Sequence, residues 1–148
     1  MRWADATLDR VEYVARNLRE SDRTEVHLSH GADPYEVTLE SWGQSEVCFA
    51  IESGAGEPIG VTGLDGNLIW LLGTDQLTAN KRRCMQLCKE GEEWVRFCLS
   101  CVDGPIGNYV YAKNRRSIRW LRALGFSVYA PQPHGPSAAL FRPFWRSA

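Results

Sequence analysis

The chain has 148 residues, 44% of them hydrophobic, with a formal net charge of −1, enough apolar material for one domain (residues 1–148) with a sizeable core. No apolar run approaches bilayer-spanning length and no secretory or lipidation motif is recognisable, which leaves a membrane protein without support and a cytoplasmic one expected. The near-neutral total hides an asymmetry: residues 1–78 carry 5 basic and 14 acidic side chains, residues 79–122 carry 10 basic and 4 acidic. A basic half suits a polyanionic ligand, RNA or an acidic protein surface, with solvated helix faces as the plain alternative.

In chain order, a brief strand near Trp3 precedes a helix from about Leu8 to Leu18, with Thr7 as cap and Leu8, Val11, Val14, Ala15 and Leu18 on one face. A second short helix covers about Asp22 to Ser29. Asp33-Pro34-Tyr35-Glu36 then reads as a helix start, because Asp can cap, Pro suits the first helical position and Glu can complete a capping box. Gly43 ends that helix, which reads as scaffolding, with a lid as the alternative.

From Val47 the pattern turns to strands. VCFAIES, PIGVTGL and LIWLLG are separated by Gly54-Ala55-Gly56-Glu57 and by Asp65-Gly66-Asn67, and Asp-Gly between apolar runs marks a hairpin. A long helix follows from about Ala79 to Cys101, its apolar stripe including Leu87, Gly91, Trp94, Val95 and Cys98. Cys98-x-x-Cys101 resembles half a zinc site, but Cys84 and Cys98 lie 14 residues apart on that helix, about 21 Å at 1.5 Å per residue, so the cysteines cannot converge on one ion. No metal site is expected, and the five cysteines read as small core residues of a reducing compartment.

Residues 106–126, IGNYVYAKNRRSIRWLRALGF, carry the strongest local signal. Ile106 to Tyr111 reads as a buried strand and Asn114 as the cap of a helix beginning near Arg115. Ile118, Leu121 and Leu124 recur at helical spacing, and Gly125 can close the helix in the left-handed conformation before Phe126 opens the next strand. A Pro-rich loop around Pro131 to Pro136 and a final strand, AALFRPFW, end the chain.

Asn114, Ser117, Ile118, Leu124, Gly125 and Phe126 stand where the GNAT (GCN5-related) N-acetyltransferases carry their Asn, small residue, apolar residue and Leu-Gly-Phe, and the passage resembles the closing half of that fold. The resemblance implies an α/β (α+β) single domain with a central, mostly antiparallel sheet flanked by helices, and an acetyl-CoA-dependent N-acetyltransferase acting on an amine of a protein or small molecule. It places the first two helices against the acceptor and the free backbone of Leu71, Leu72 and Gly73 against the pantetheine arm. The phosphate loop falls on Gln76, Ala79, Lys81, Arg82 and Arg83, with Asn114 also at the cofactor. Gln76-Leu77-Thr78-Ala79-Asn80-Lys81 keeps the Gln of the family pattern but lacks both glycines, and Leu121 occupies the place of the frequent Tyr acid.

Three cations in the first turn of a helix oppose its dipole, a cost that a phosphate would reverse. For proton transfer, Glu52 and Tyr111 are the chosen candidates. Asp65, His27, His30 and His134 are further bases, and Tyr109 and Tyr129 further acids. Of the tryptophans Trp42, Trp70, Trp94, Trp120 and Trp145, most read as core, with Trp120 placed to line or block the cleft. The alternative keeps the fold without the reaction: ESDRTEV, IWLLGTD and NRRSIRWL are similar to short GNAT-like proteins of tailed phages, which implies a module binding a host or virion protein through the acidic N-terminal half or residues 81–122. An oligomer is compatible with either reading. Nucleic acid fits less well, because the acidic half would repel its backbone.

Overall fold

The computed structural model describes residues 1–148. In chain order it forms β1 (Arg2–Asp5), α1 (Leu8–Arg16), α2 (Glu20–His30), α3 (Pro34–Gln44), β2 (Val47–Glu52), β3 (Pro58–Asp65) and β4 (Leu68–Gly73). A 3-10 turn (Asp75–Thr78) then leads to α4 (Lys81–Cys101), β5 (Ile106–Tyr111), α5 (Arg115–Ala123), β6 (Ser127–Val128), β7 (Gln132–His134) and β8 (Ala139–Arg146). The strands make one sheet in the order β1-β2-β3-β4-β5-β8-β6, with β7 also paired to β8. Every pairing is antiparallel except that of β4 with β5. This is the central, mostly antiparallel sheet expected of the resemblance.

Alternation along the strands sends side chains to two cores. Val61 and Leu72 point to the face covered by α1, α2 and α3, where they meet Val11, Val14, Leu18, Val26 and Val37. Leu64 and Ile69, of opposite parity, point to the face covered by α4 and α5, among Val95, Cys98, Ile118 and Leu121. Each such side chain contributes about 1.5–3 kcal/mol when fully buried. Residues 33–43 are tied into the layer with α1 and α2: Val37 and Thr38 of α3 are buried, and the Trp42 indole donates to the Ala6 carbonyl across 2.7 Å.

Several local expectations hold. Gly66 turns the β3–β4 hairpin at φ 59°, Asn114 Oδ1 accepts the Ser117 N–H, and Gly125 closes α5 at φ 82°. Others change. α1 stops at Arg16, and Thr7 and Asp33 hold the cap positions without a side-chain cap bond. α4 starts at Lys81 rather than Ala79, because Thr74 caps the 3-10 turn and Asn80 then caps α4 by accepting the Arg83 N–H. Cys84, Cys88, Cys98 and Cys101 all lie on α4; Cys98 is buried, but Cys101 is exposed and is no core residue. No helix is long and apolar enough to cross a membrane.

Candidate active site

β4 and β5 run parallel yet stay paired only at Leu68 and Gly107, after which they diverge. The cause is local. A Cβ at Gly107 would lie 1.9 Å from the Phe144 carbonyl oxygen and 2.6 Å from the Trp145 ring, so only glycine lets β8 press this close to β5. At the next residue the Asn108 side chain takes over from the backbone: its amide donates to the Ile69 carbonyl (3.1 Å) and its oxygen accepts the Tyr109 N–H (2.9 Å). That side chain sits where the ladder would otherwise continue, and a cleft of about 970 Å³ opens beyond it. The cleft reaches from α2 and α3 on one face of the sheet to α4 and α5 on the other.

Along the β4 wall, backbone groups of successive residues point alternately to β3 and to the cleft. Gly73 belongs to the cleft-facing set, but its N–H donates to Asp22 Oδ2 (2.8 Å) and its carbonyl accepts the Arg19 N–H (3.0 Å). Leu72, of the other set, is directed to Val61 on β3. Leu71 is left with its N–H and C=O facing the cleft beyond the Asn108 wedge. Of the three backbone positions expected to receive an extended ligand, geometry therefore favours Leu71, and Leu72 contributes its side chain to the wall. Gly73 is a correction: α2 has already taken its backbone groups.

The turn between β4 and α4 explains how it dispenses with glycines. No residue from 74 to 83 has positive φ, so the path needs none of glycine's freedom. Gln76 does not point into the cleft; its carbonyl and its side-chain oxygen accept from the Arg83 guanidinium at 2.7 and 3.0 Å. Arg83 is thereby folded back on the turn. Lys81 and Arg82 are exposed, without ion pairs, and they and Ala79 stand outside the cleft wall formed here by Asp75, Thr78, Cys84 and Cys88. A cation that the sequence reading passed over lies nearer: Arg116 of α5 reaches the Thr78 carbonyl (3.4 Å) and Cys84 Sγ (3.1 Å) and lines the cleft.

At the other end α2 supplies Glu25, which the sequence reading did not single out. Its Oε1 accepts the Tyr111 N–H at 2.5 Å, and it lines the cleft with Asn114. Its pKa is raised from 4.5 to about 7, chiefly by burial and with a contribution from Asp22, while the Tyr111 N–H, Arg19 and the Asn114 amide oppose the shift. Asp22 itself, 3% exposed, is bonded by Arg19 Nε at 2.9 Å and by the Gly73 N–H, so α2 is pinned to β4 beside the cleft.

Other candidates divide clearly. Glu52 stands outside the cleft wall: Arg2 (2.6 Å) and Arg10 (3.3 Å) hold its carboxylate, and the Arg2 hydrogen bond leads in lowering its pKa, which makes it a poor base. Tyr111 contributes its N–H to Glu25, but its ring packs on Phe141 at 5.4 Å rather than lining the cleft. Tyr109 does line it, stacked on His134 at 4.1 Å, and His30 and Asp65 also reach the cleft, whereas His27 and Tyr129 do not. Burial, then His30, lowers the His134 pKa, which favours a neutral ring. The Pro-rich loop brings His134 there, because Gly135 passes so close to the Leu28 carbonyl that a Cβ would lie 2.3 Å from it. Trp120 lines the cleft, and its indole N–H is buried without a partner.

The fold as a whole is similar to those of solved acetyltransferases. Ribosomal-protein-alanine N-acetyltransferase from Brucella melitensis superposes with a TM-score of 0.71 over 100% of both chains at 10% identity. The chain has the GNAT fold. A GNAT superfamily phosphinothricin acetyltransferase from Sinorhizobium meliloti, solved in complex with AcCoA, gives 0.64 at 14% identity over 98% of this chain and 86% of that one. Spermidine N-acetyltransferase from Vibrio cholerae, in complex with CoA and spermine, gives 0.67 at 8% identity over 98% and 94%. No protein-family model and no curated protein matches the sequence. Within this GNAT fold, Leu121 is buried in the cleft wall, so the place of the frequent Tyr holds no proton donor.

Proposed function

We propose that this chain is an acetyl-CoA-dependent N-acetyltransferase acting on an amine of a protein or small molecule. One observation carries the reading: the divergence of β4 from β5 leaves the Leu71 backbone free in a cleft that also holds a carboxylate with a pKa of about 7. The solved neighbours that hold AcCoA, or CoA with spermine, support this choice of substrates.

Acetyl-CoA supplies the acetyl group as a thioester. The Leu71 N–H and C=O suit the amides of an extended pantetheine arm. Lys81, Arg82 and Arg116, with the start of α4, give the phosphates a cationic rim, and Gln76 and Arg83 shape that rim by bonding each other. Asn114 caps α5 beside Glu25 and faces the cleft, where its amide can orient the reacting groups. As the amine nitrogen bonds the thioester carbon and the carbon–sulfur bond breaks, Glu25 accepts the proton the nitrogen sheds. The departing thiolate takes its proton from water, Leu121 having none to give. Orientation of amine and thioester supplies much of the acceleration, so transfer does not require that acid.

The test is incubation with acetyl-CoA and a panel containing spermine and peptides with free N-termini, read by mass spectrometry and by release of free thiol. A gain of one acetyl group is expected, with kcat/KM rising through about pH 7 as Glu25 loses its proton, and Glu25→Gln lowering it by about 10²–10⁴. A blank panel, or a Glu25→Gln variant with undiminished rate, overturns the proposal.

A further inference from the structure

A second concavity, of about 580 Å³, lies on the flank of α5 turned away from the cleft. Its lining is Ala112, Arg115, Ile118, Arg119, Arg122 and Arg142, four guanidinium groups and no acid. On the helix, positions 115, 118, 119 and 122 form one stripe, while Asn114, Arg116, Ser117 and Trp120 face the cleft; only Arg119 lines both. The fourth arginine comes from β8, on the same strand face as Phe144 and therefore beneath α5.

None of the four forms an ion pair. Arg146, two positions after Phe144 on the same face, is by contrast held by Glu92 at 3.0 Å. Arg142 donates one bond, to the Tyr129 carbonyl at 3.2 Å, and its Nε is enclosed without any partner. Like charges at 115 and 119 repel at i,i+4 spacing, and Arg115 in the first turn also opposes the helix dipole. The like-charge and dipole costs are offset when an anion occupies the concavity.

We infer that Arg115, Arg119, Arg122 and Arg142 form a binding site for a small polyphosphate anion, free or carried by a nucleoside. The guanidinium fork matches phosphoryl oxygens two at a time, and four forks around one hollow exceed what a single phosphate can satisfy. Among the lining residues no aromatic ring offers a stacking platform for a run of bases, and the acidic N-terminal half repels a long nucleic-acid backbone, so a compact ligand fits better than RNA. The site is separate from the acetyl-transfer reading and stands or falls without it.

Calorimetry on the full chain, in buffer free of phosphate and sulfate, decides the matter with sodium tripolyphosphate, a nucleoside triphosphate and a short single-stranded RNA as probes. One equivalent of either triphosphate is expected to bind; a tighter nucleoside form identifies a nucleotide as the ligand, and equal affinities identify the bare polyphosphate. The double variant Arg115→Gln/Arg122→Gln, which touches no cleft residue, is expected to weaken binding by about tenfold or more while leaving acetyl-CoA affinity and Tm unchanged. Should that variant be misfolded, Arg122→Glu alone is expected to give the same loss. No binding at millimolar tripolyphosphate, or affinity unaltered by these substitutions, overturns the inference, as does RNA binding tighter than both triphosphates at the same salt.

Discussion

Glu25→Gln should make the protein more stable as it makes it less active, and only at high pH. In the folded chain burial raises Glu25 from 4.5 to about 7. The native state therefore holds this proton more tightly than the unfolded state, and the linkage has a definite sign: stability declines as pH rises from the unfolded value to the folded one and is flat above it. At about 1.36 kcal/mol per pKa unit the full penalty is about 3 kcal/mol, and partial access of solvent to the residue reduces it to roughly 1–3 kcal/mol. Gln keeps an oxygen for the Tyr111 N–H but carries no charge, so the variant escapes the penalty. For a chain of this size the gain corresponds to a Tm higher by roughly 3–10 °C near pH 8.5, shrinking towards zero at about pH 3, where Glu25 is protonated in both states. Thermal denaturation of both proteins at the two pH values measures it, the other titrating groups being common to both. A Tm difference independent of pH, or a variant less stable at pH 8.5, would refute the reasoning that places a reluctant carboxylate in the cleft.

Two further substitutions probe the frame around the cleft. Asp22→Ala leaves the Arg19 guanidinium unpaired and the Gly73 N–H without its acceptor; a loss of about 3–5 kcal/mol in urea unfolding is expected, and a loss below about 1 kcal/mol would mean that α2 is not pinned there. Gly107→Ala puts a Cβ against the Phe144 carbonyl oxygen, a clash no rotamer relieves, and should cost at least about 3 kcal/mol or abolish folding. Gly43→Ala, in a helix with open space around its Cβ position, should instead stabilise by about 0.5–1 kcal/mol, and equal outcomes for the two glycines would contradict the packing described.

The sequence disclosed what short-range chemistry controls. Asp65-Gly66 specifies its hairpin because few residues accept the positive φ of the turn, and Asn114 with Gly125 brackets α5 by groups only a few residues away. The site was less legible because its chemistry is made at long range. Glu25 sits in the charged run ESDRTEVHLSH and reads as solvated; its raised pKa comes from burial in the cleft wall, against the opposing hydrogen bond from the Tyr111 N–H, 86 residues on. A faint signal existed, since Asp22, Glu25 and Ser29 share a helical face with the buried Val26. Glu52 misled for the converse reason: a carboxylate at a strand end looks available until β1 and α1 deliver Arg2 and Arg10 to it. Likewise, the β4–α4 turn has no positive φ, so its lack of glycines costs it no backbone strain, a property of the path that its residues do not announce. Gln76 and Arg83, adjacent in function by resemblance, prove to be bonded to each other.

Amide hydrogen exchange at residue resolution, on the full chain with and without acetyl-CoA, tests most directly whether the split between β4 and β5 is a thioester-binding cleft. Leu72, bonded within the sheet, and Gly73, bonded to Asp22, should be protected from the start. Leu71 should exchange faster than both in the free protein and become protected once acetyl-CoA is added. A Leu71 amide already as slow as its neighbours, or one unmoved by millimolar acetyl-CoA, would contradict the placement of the substrate in this cleft.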